Sequence, residues 1–304
     1  MTYKKDIDYL LDQLLPDKKE HPPTLTTIPI DRIHPFPQHP YRVEDDEEMA
    51  ALTESIRERG ILTPLLVRRR DGSETEYEVI SGHRRLFAAR KAGMSSVPVH
   101  ITDMDRNAAA IALVDSNLHR ERLLPSEKAF AYKMKMEAMK RQGRRTDLTS
   151  GQVGTKSRTD TQIAENADDS ARQIQRYIRL TSLIPELLEM MDQGRIAFSV
   201  GVELSYLDAP AQRHVLDAMG KNDCTPSYAQ AVRLHKAMNA GTLDQYMIEH
   251  ALAEEKPNQK EQIRLKRSDY ARFFPNHYTP AQIERDIQKG LELLQRQRER
   301  DAER

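Results

Sequence analysis

The sequence has no tryptophan, a single cysteine and only 6% aromatic residues, and each shortage excludes a class of protein. One thiol, Cys224, cannot build a disulfide framework or a cysteine-based zinc site within one chain. A cysteine content this low is typical of proteins in the reducing cytoplasm. Because 31% of the residues are charged and few are aromatic, the composition favours a helical, highly solvated protein with small cores over an all-β protein.

A long hydrophobic run and a net charge are also missing. No segment approaches the length needed to cross a bilayer, and the first residues lack the apolar core of a signal peptide. We therefore expect a cytoplasmic protein with no membrane partner. The 47 basic and 47 acidic side chains cancel. This balance argues against a uniformly basic coat for nucleic acid, but it allows a local basic patch.

The first part of the chain has the pattern of an arm followed by a mixed domain. Residues 1–25 combine a short amphipathic piece with a polar, proline-containing stretch, which is typical of a flexible arm. Residues 26–120 predict an α+β domain, because short apolar runs alternate with amphipathic helical segments. The predicted strands are 28–30, 64–69, 76–80 and 97–101, and the predicted helices are 45–59, 82–92 and 105–118.

The rest of the chain is helical, so the fold class is an α+β domain followed by an all-α domain over 121–250, mostly helical overall. A helix is predicted from Pro125 to about Arg141, and a polar loop containing Gly143 follows it. Residues 256–304 form a separate tail, with a strand candidate at 262–266 and a helix that begins at Thr279. The tail helix has an apolar stripe that suits packing within its own domain or dimerisation, and the sequence leaves both open. The stripe consists of Ile283, Ile287, Leu291 and Leu294.

A glycine followed by two arginines stands where a predicted strand meets a predicted helix, in the stretch Ser81-Gly82-His83-Arg84-Arg85. The first turn of a helix has free N–H groups and the positive end of the helix dipole, and glycine lets an anion approach the backbone closely. Guanidinium groups are well suited to phosphate. The stretch therefore predicts an anion site, while the alternative is that both arginines are solvated residues at a helix start.

Residues 119–160 carry eleven basic and five acidic side chains, an excess of six positive charges in a neutral protein. Two capping-box patterns follow, Thr159 with Gln162 and Ser170 with Gln173, and they predict two helices over 159–181. Asp168 and Asp169 lie between them, and aspartate tolerates the left-handed conformation that a tight turn needs. The segment thus predicts a helix-turn-helix, with an ordinary surface helical hairpin as the alternative.

The second of these helices has an apolar face and a basic face. Ala171, Ile174 and Ile178 share the apolar face, which we expect to pack on the first helix. Arginine reads guanine and glutamine reads adenine in the major groove, and no acidic residue interrupts 170–185. We therefore interpret it as a recognition helix. The candidate DNA-binding residues are Gln162, Ser170, Arg172, Gln173, Gln175, Arg176 and Arg179.

In this order, the pieces resemble the ParB/RepB family of DNA-partition proteins over about residues 26–240. Three boxes carry the resemblance: His39-Pro40-Tyr41-Arg42, Gly82 to Ala88, and Asn117 to Ala129. The second is similar to the family's Gly-Glu-Arg-Arg-x-Arg-Ala, and the third is similar to Glu-Asn-Leu-x-Arg-x-x-Leu-x-Pro-x-Glu-x-Ala. This chain departs from these patterns at His83, Phe87 and Ser116, the last of which replaces a carboxylate on the metal side of the site.

The resemblance implies a homodimeric clamp on double-stranded DNA that binds CTP with Mg²⁺. Slow hydrolysis of CTP would reopen the clamp. The sequence assigns neither a catalytic residue for this hydrolysis nor a ligand for the metal. The resemblance also implies a nucleoid- or plasmid-associated location and a ParA-type ATPase partner. The runner-up function is a transcriptional regulator with a degenerate nucleotide site. A sulfiredoxin activity ranks below it because Cys224 lies far in sequence from Gly82, and a kinase activity does so because a kinase has little use for a helix-turn-helix. The nucleotide-binding residues that the resemblance implies are Arg42, Gly82, His83, Arg84, Arg85, Asn117 and Arg120.

Overall fold

The computed structural model describes residues 24–118, 120, 123–147, 159–165, 167–254, 273–274 and 278–302. The chain divides into two compact units at residues 254 and 255. Most of the predicted arm, part of the polar loop and the strand candidate at 262–266 lie outside the described residues. None of the helices within the described ranges is both long and apolar enough to cross a membrane.

A five-stranded mixed sheet organises the first part of the chain, in the order β1-β5-β3-β4-β2. Parallel pairing joins β5 to β3 and β4 to β2, whereas β1–β5 and β3–β4 are antiparallel. The predicted strands are confirmed within one or two residues, except that β1 begins earlier and β2 lies within the proline-rich stretch. The strands are β1 Thr24–Pro29, β2 Ile33–Pro35, β3 Leu65–Arg69, β4 Tyr77–Ser81 and β5 Ser96–Thr102.

Helices cover both faces of this sheet. They are α1 (Glu47–Arg59), α2 (His83–Lys91) and α3 (Arg106–Leu118), close to the predicted ranges. Successive strand residues point to opposite faces, so Val79 packs in the cluster of α1 and α2 while Ile80 packs in the cluster of α3. This arrangement brings the start of α2 and the end of α3 to one end of the sheet.

The remaining elements of the first unit are helices, as predicted. The long helix α4 continues to Asp147 instead of ending near Arg141, so the predicted end of this helix is wrong. A glycine inside a helix costs only about 1 kcal/mol relative to alanine, so Gly143 does not stop it. The helices are α4 Pro125–Asp147, α5 Thr159–Glu165, α6 Ala171–Leu180, α7 Pro185–Asp192, α8 Phe198–Leu204, α9 Ala209–Asn222, α10 Tyr228–Asn239 and α11 Gln245–Ala253.

The α5–turn–α6 unit packs on α4 through the apolar face that the sequence predicts. Ile163 and Ile174 are fully buried in one cluster with Tyr132 of α4. The turn differs from the prediction, because neither Asp168 nor Asp169 has a positive φ. The turn is instead fixed by α4. Asp169 Oδ2 accepts hydrogen bonds from Tyr132 Oη at 2.7 Å and from Lys128 Nζ at 3.1 Å.

The two predicted capping boxes are only partly formed. Ser170 caps α6 by accepting a hydrogen bond from the Gln173 backbone N–H, but the Gln173 side chain accepts from Arg176 instead of returning to Ser170. Thr159 is the first residue of α5 and not its cap. The helix boundaries and the Ser170 cap are therefore confirmed, whereas the return bond from Gln173 and the cap at Thr159 are not.

The second unit contains the helix α12 (Pro280–Ala302). Its apolar stripe is confirmed as a helical face, with Leu291 61% exposed and Leu294 52% exposed. The dimerisation role of this helix stays a prediction.

We expect Ile174→Ala to lower the free energy of unfolding by about 2–5 kcal/mol, because it opens a cavity in the packing of α6 on α4. Arg172→Ala, an exposed site on the same helix, should change it by less than about 0.5 kcal/mol. Urea unfolding of the full chain, followed by circular dichroism, measures both. Equal losses in the two variants would contradict the packing described here.

Candidate functional site

A left-handed glycine separates β4 from α2. Gly82 has φ +105°, and a Cβ added to it would lie 3.1 Å from both the Arg85 Nη2 atom and the Leu65 Cγ atom. Another side chain at this position would therefore be strained and crowded. Gly82 and the three residues after it line a cavity at the first turn of α2.

This cavity, which we call the Gly82 cavity, has a volume of about 220 Å³. It brings together all seven residues that the resemblance implies for the nucleotide, from the loop after β2, the start of α2 and the end of α3. Five further residues line the cavity that were not among the predicted nucleotide-binding residues, and two of them lie in the proline-rich box itself. The lining residues are His39, Tyr41, Arg42, Val43, Ser81, Gly82, His83, Arg84, Arg85, Ser116, Asn117 and Arg120.

The two arginines that follow Gly82 are held in different ways. Arg85 donates from Nη1 to the carbonyl oxygens of Thr63 and Pro64, so its guanidinium forms part of the cavity wall, and its role as a phosphate ligand stays a prediction. Burial lowers the pKa of Arg85. Arg84 pairs with Glu48 at 3.2 Å, and exposed pairs of this kind contribute only about 0–1 kcal/mol. Arg84 can therefore exchange its partner for a bound anion.

Two neutral histidines lie in ring contact at the same cavity, with an angle of 35° between their planes. The rings of His39 and His83 have centroids 3.6 Å apart, and His39 Nδ1 donates to the Tyr41 carbonyl oxygen at 2.8 Å. Burial lowers the pKa of His39 to about 4. The pKa of His83 is lowered to about 2, mainly by burial and further by the nearby His39 and Arg120. Both imidazoles are therefore neutral at pH 7, and the positive charge of the cavity comes from its arginines.

The far side of the cavity is formed by the end of α3. The Asn117 side-chain amide donates to the Leu113 carbonyl oxygen and to Ser116 Oγ, which orients it beside Ser116. Asp115, the neighbouring carboxylate, faces α4 and pairs with Lys135 Nζ at 2.5 Å, as its position one residue before Ser116 on the helix predicts.

These donors do not fit a magnesium ion held by the protein. Mg²⁺ in nucleotide sites is bound through carboxylates together with the phosphates, and no carboxylate is among the described lining residues. Nor does any group of three or more His, Cys, Asp or Glu within the described ranges suit a metal ion.

Arg42 connects the cavity to the helical part of the chain. Its guanidinium Nη2 donates to Glu189 at 2.8 Å and to Asp192 at 3.0 Å, both on α7, and the bond to Glu189 is the largest of the effects that raise its pKa. Its backbone N–H donates to Glu127 on α4 at 2.8 Å. The Asp192 carboxylate also accepts from the Ser126 N–H and hydroxyl at the start of α4.

A second concave surface lies at the N-terminal half of α6, and we call it the Arg172 concavity. Its volume is about 420 Å³. Four of the seven predicted DNA-binding residues line it, and sequence reasoning missed Glu203 and Tyr228 because they come from α8 and α10. The lining residues are Ser170, Arg172, Gln173, Arg176, Glu203 and Tyr228.

The other three predicted DNA-binding residues do not line the Arg172 concavity. Gln162 is exposed on α5, and Gln175 donates to Asp160 of α5 at 2.9 Å. Arg179 lies over the Tyr206 ring at 4.2 Å and donates to the Ser205 carbonyl oxygen at 2.8 Å. Gln175 and Arg179 therefore hold helices together in this structure.

The buried histidine pair, His39 and His83, predicts a pH dependence of stability. As the pH falls from 6.5 to 5, the unfolded chain binds protons on imidazoles that stay neutral in the folded state, so the free energy of unfolding should fall. In a His39→Gln/His83→Gln double variant this fall should be shallower. Urea unfolding at four pH values between 7.5 and 5 compares the two slopes, and identical slopes would contradict the neutral, buried state of the pair.

Known proteins are similar to this chain over the domain that contains the Gly82 cavity and beyond it. The model of the ParB N-terminal domain matches residues 16–118. The chromosome-partitioning protein Spo0J of Thermus thermophilus is 32% identical over 213 residues, which cover 69% of this chain and 71% of that protein.

Two crystal structures of C-terminally truncated ParB from Caulobacter crescentus also match. One is complexed with CTP-γ-S, with 27% identity and a TM-score of 0.30, over 62% of this chain and 94% of that one. The other is complexed with the centromeric parS site. It has 23% identity and a TM-score of 0.40, over 74% of this chain and 97% of that one. On the extent and identity of the Thermus match, this chain belongs to the ParB/Spo0J family of chromosome-partitioning proteins.

Proposed function

We propose that this chain is a site-specific DNA-binding partition protein whose DNA engagement is controlled by CTP in the Gly82 cavity. The observation that carries the proposal is the double contact of Arg42. It lines that cavity, and it also forms ion pairs with α7 in the helical part of the chain that contains α5 and α6. A homodimer and a ParA-type ATPase partner are predictions that accompany family membership.

The Gly82 cavity suits a triphosphate. Four arginines line it, both of its histidines are neutral, and the first turn of α2 at its wall adds N–H donors with the positive end of a helix dipole. Four positive charges balance the charge that a triphosphate carries near neutral pH. The preference for CTP over the other nucleoside triphosphates is a prediction that follows from family membership.

The described lining residues offer no carboxylate that could hold Mg²⁺ beside the triphosphate. The position of the family's metal-side carboxylate is Ser116, whose hydroxyl donates to the Leu113 carbonyl oxygen. The arginines supply the counter-charge that a metal ion otherwise supplies. We therefore assign triphosphate binding to the arginines and assign no hydrolytic residue.

Arg42 gives the nucleotide a route to the DNA-binding part. A triphosphate in the cavity offers Arg42 a more concentrated negative charge than Glu189 and Asp192 do. When Arg42 turns toward the phosphates, α7 loses its ion pairs with the loop after β2. Since Asp192 also binds the start of α4, the change reaches the helix on which α5 and α6 pack.

The first test is the affinity of the full chain for nucleotides by isothermal titration calorimetry. We expect CTP to bind in preference to the other three triphosphates. Arg84→Ala or Arg120→Ala should weaken its binding by about ten- to a hundredfold each, since a charge-assisted hydrogen bond contributes about 1.5–3 kcal/mol. Replacement of Mg²⁺ by EDTA should change the affinity only a few-fold. The exposed Arg213→Ala on α9 is the control, and failure of all four triphosphates to bind would overturn the proposal.

The second test addresses the link through Arg42. Glu189→Gln should tighten CTP binding by about two- to fivefold, because an exposed ion pair of up to about 1 kcal/mol no longer competes for Arg42. Glu186→Gln removes the same charge from an exposed position of α7 and should have no effect. If the two variants bind CTP equally, the competition for Arg42 does not exist.

A further inference from the structure

The Arg172 concavity contains one acidic side chain, Glu203 of α8, opposite the arginines of α6. We propose that Glu203 selects the DNA sequence by accepting a hydrogen bond from the amino group of a cytosine in the major groove, and that His235 positions it for this contact. The inference rests on the proposed DNA-binding function and adds a base-specific contact to it.

The carboxylate is held in a fixed orientation with one oxygen available. The Glu203 side chain is only 18% exposed, and its Oε2 atom lies 2.7 Å from His235 Nδ1. No other described side chain forms a hydrogen bond or ion pair with this carboxylate. The Oε1 atom is therefore left for a ligand that enters the concavity.

His235 is itself fixed by a stack of three side chains. Its ring lies parallel to the Tyr206 ring, with centroids 4.0 Å apart and an angle of 7°. Arg179 lies over Tyr206, with Cζ 4.2 Å from the ring centroid, and donates to the Ser205 carbonyl oxygen. The stack links the C-terminal part of α6 to the residue that orients Glu203, so the recognition helix and the carboxylate are held in one arrangement.

The neighbouring arginines do not neutralise Glu203. Neither Arg172 nor Arg176 forms an ion pair with it among the described contacts. Arg176 is instead bound to Gln173 Oε1 at 3.1 Å and lies over the Phe198 ring at 4.9 Å, while Arg172 is exposed. A carboxylate kept apart from adjacent cations is available to a third partner.

The chemistry of the groove identifies that partner. An ionised carboxylate only accepts hydrogen bonds, so phosphates and the O6 and N7 acceptors of guanine are repelled by it. Among the groups on base edges, the cytosine N4 amino group is the usual partner of Glu and Asp. Glu203 thus complements the arginines of α6, which read guanine, and it disfavours DNA with an acceptor at its position.

The test is selection of bound duplexes from a randomised library by the full chain, followed by affinity measurements on the enriched site. We expect the wild-type chain to enrich a motif with one cytosine that Glu203→Gln no longer requires. Glutamine reads adenine, so adenine should become enriched there, and the affinity for the original site should fall about tenfold or more. Glu186→Gln, which removes one exposed negative charge outside the concavity, should enrich the wild-type motif.

A second variant tests the positioning role. His235→Phe keeps an aromatic ring on Tyr206 but removes the hydrogen bond to Glu203, so it should weaken the preference for this cytosine and leave the guanine positions unchanged. If Glu203→Gln and His235→Phe both enrich the wild-type motif with unchanged affinity, the inference is wrong. If the wild-type chain enriches no motif at all, the proposed DNA-binding function fails as well.

Discussion

The carboxylate of Asp192 is the contact on which the arrangement of the first unit depends. It is almost fully buried, and it accepts hydrogen bonds from the backbone and hydroxyl of Ser126 and from the guanidinium of Arg42. A buried charge must be paired with polar groups, so this carboxylate holds the start of α4 and the loop of the Gly82 cavity together while Arg42 stays bound to it. When Arg42 turns to a triphosphate, the two Ser126 donors are the described partners that keep the carboxylate paired.

Arginine has two different roles in this chain. Arg85 and Arg179 donate to main-chain carbonyl oxygens, which ties their guanidinium groups to the fold. Arg84 and Arg172 are exposed or carry only exchangeable ion pairs, so they can meet a phosphate or a base with little loss. The fixed arginines shape each surface, and the free ones give it its charge.

Periodicity in the sequence predicts most of the elements, and it predicts the faces that pack. The strands β3, β4 and β5 and the burial of Ile163 against Ile174 are examples. The short edge strand β2 was not predictable, because it contains a proline and forms only by pairing with β4. Local pattern carries no information on a partner that lies far along the chain.

The same limit applies to the two candidate sites. The boxes at Gly82 and Asn117 identify one cavity, since their residues stand at the ends of elements that the sheet brings together. Three contacts join segments more than twenty residues apart: the ring contact of His39 with His83, the ion pairs of Arg42 with α7, and the place of Glu203 beside α6. Such contacts follow from the tertiary arrangement and not from spacing.

The first two turns of α4 have a mechanical consequence. Ser126 meets Asp192 near the cavity, and Tyr132 meets Asp169 at the turn before the recognition helix, so the two junctions are only six residues apart. At a rise of 1.5 Å per residue, about 9 Å of continuous helix separates them. A span this short has almost no torsional compliance, so a small rotation at one junction reaches the other nearly undiminished.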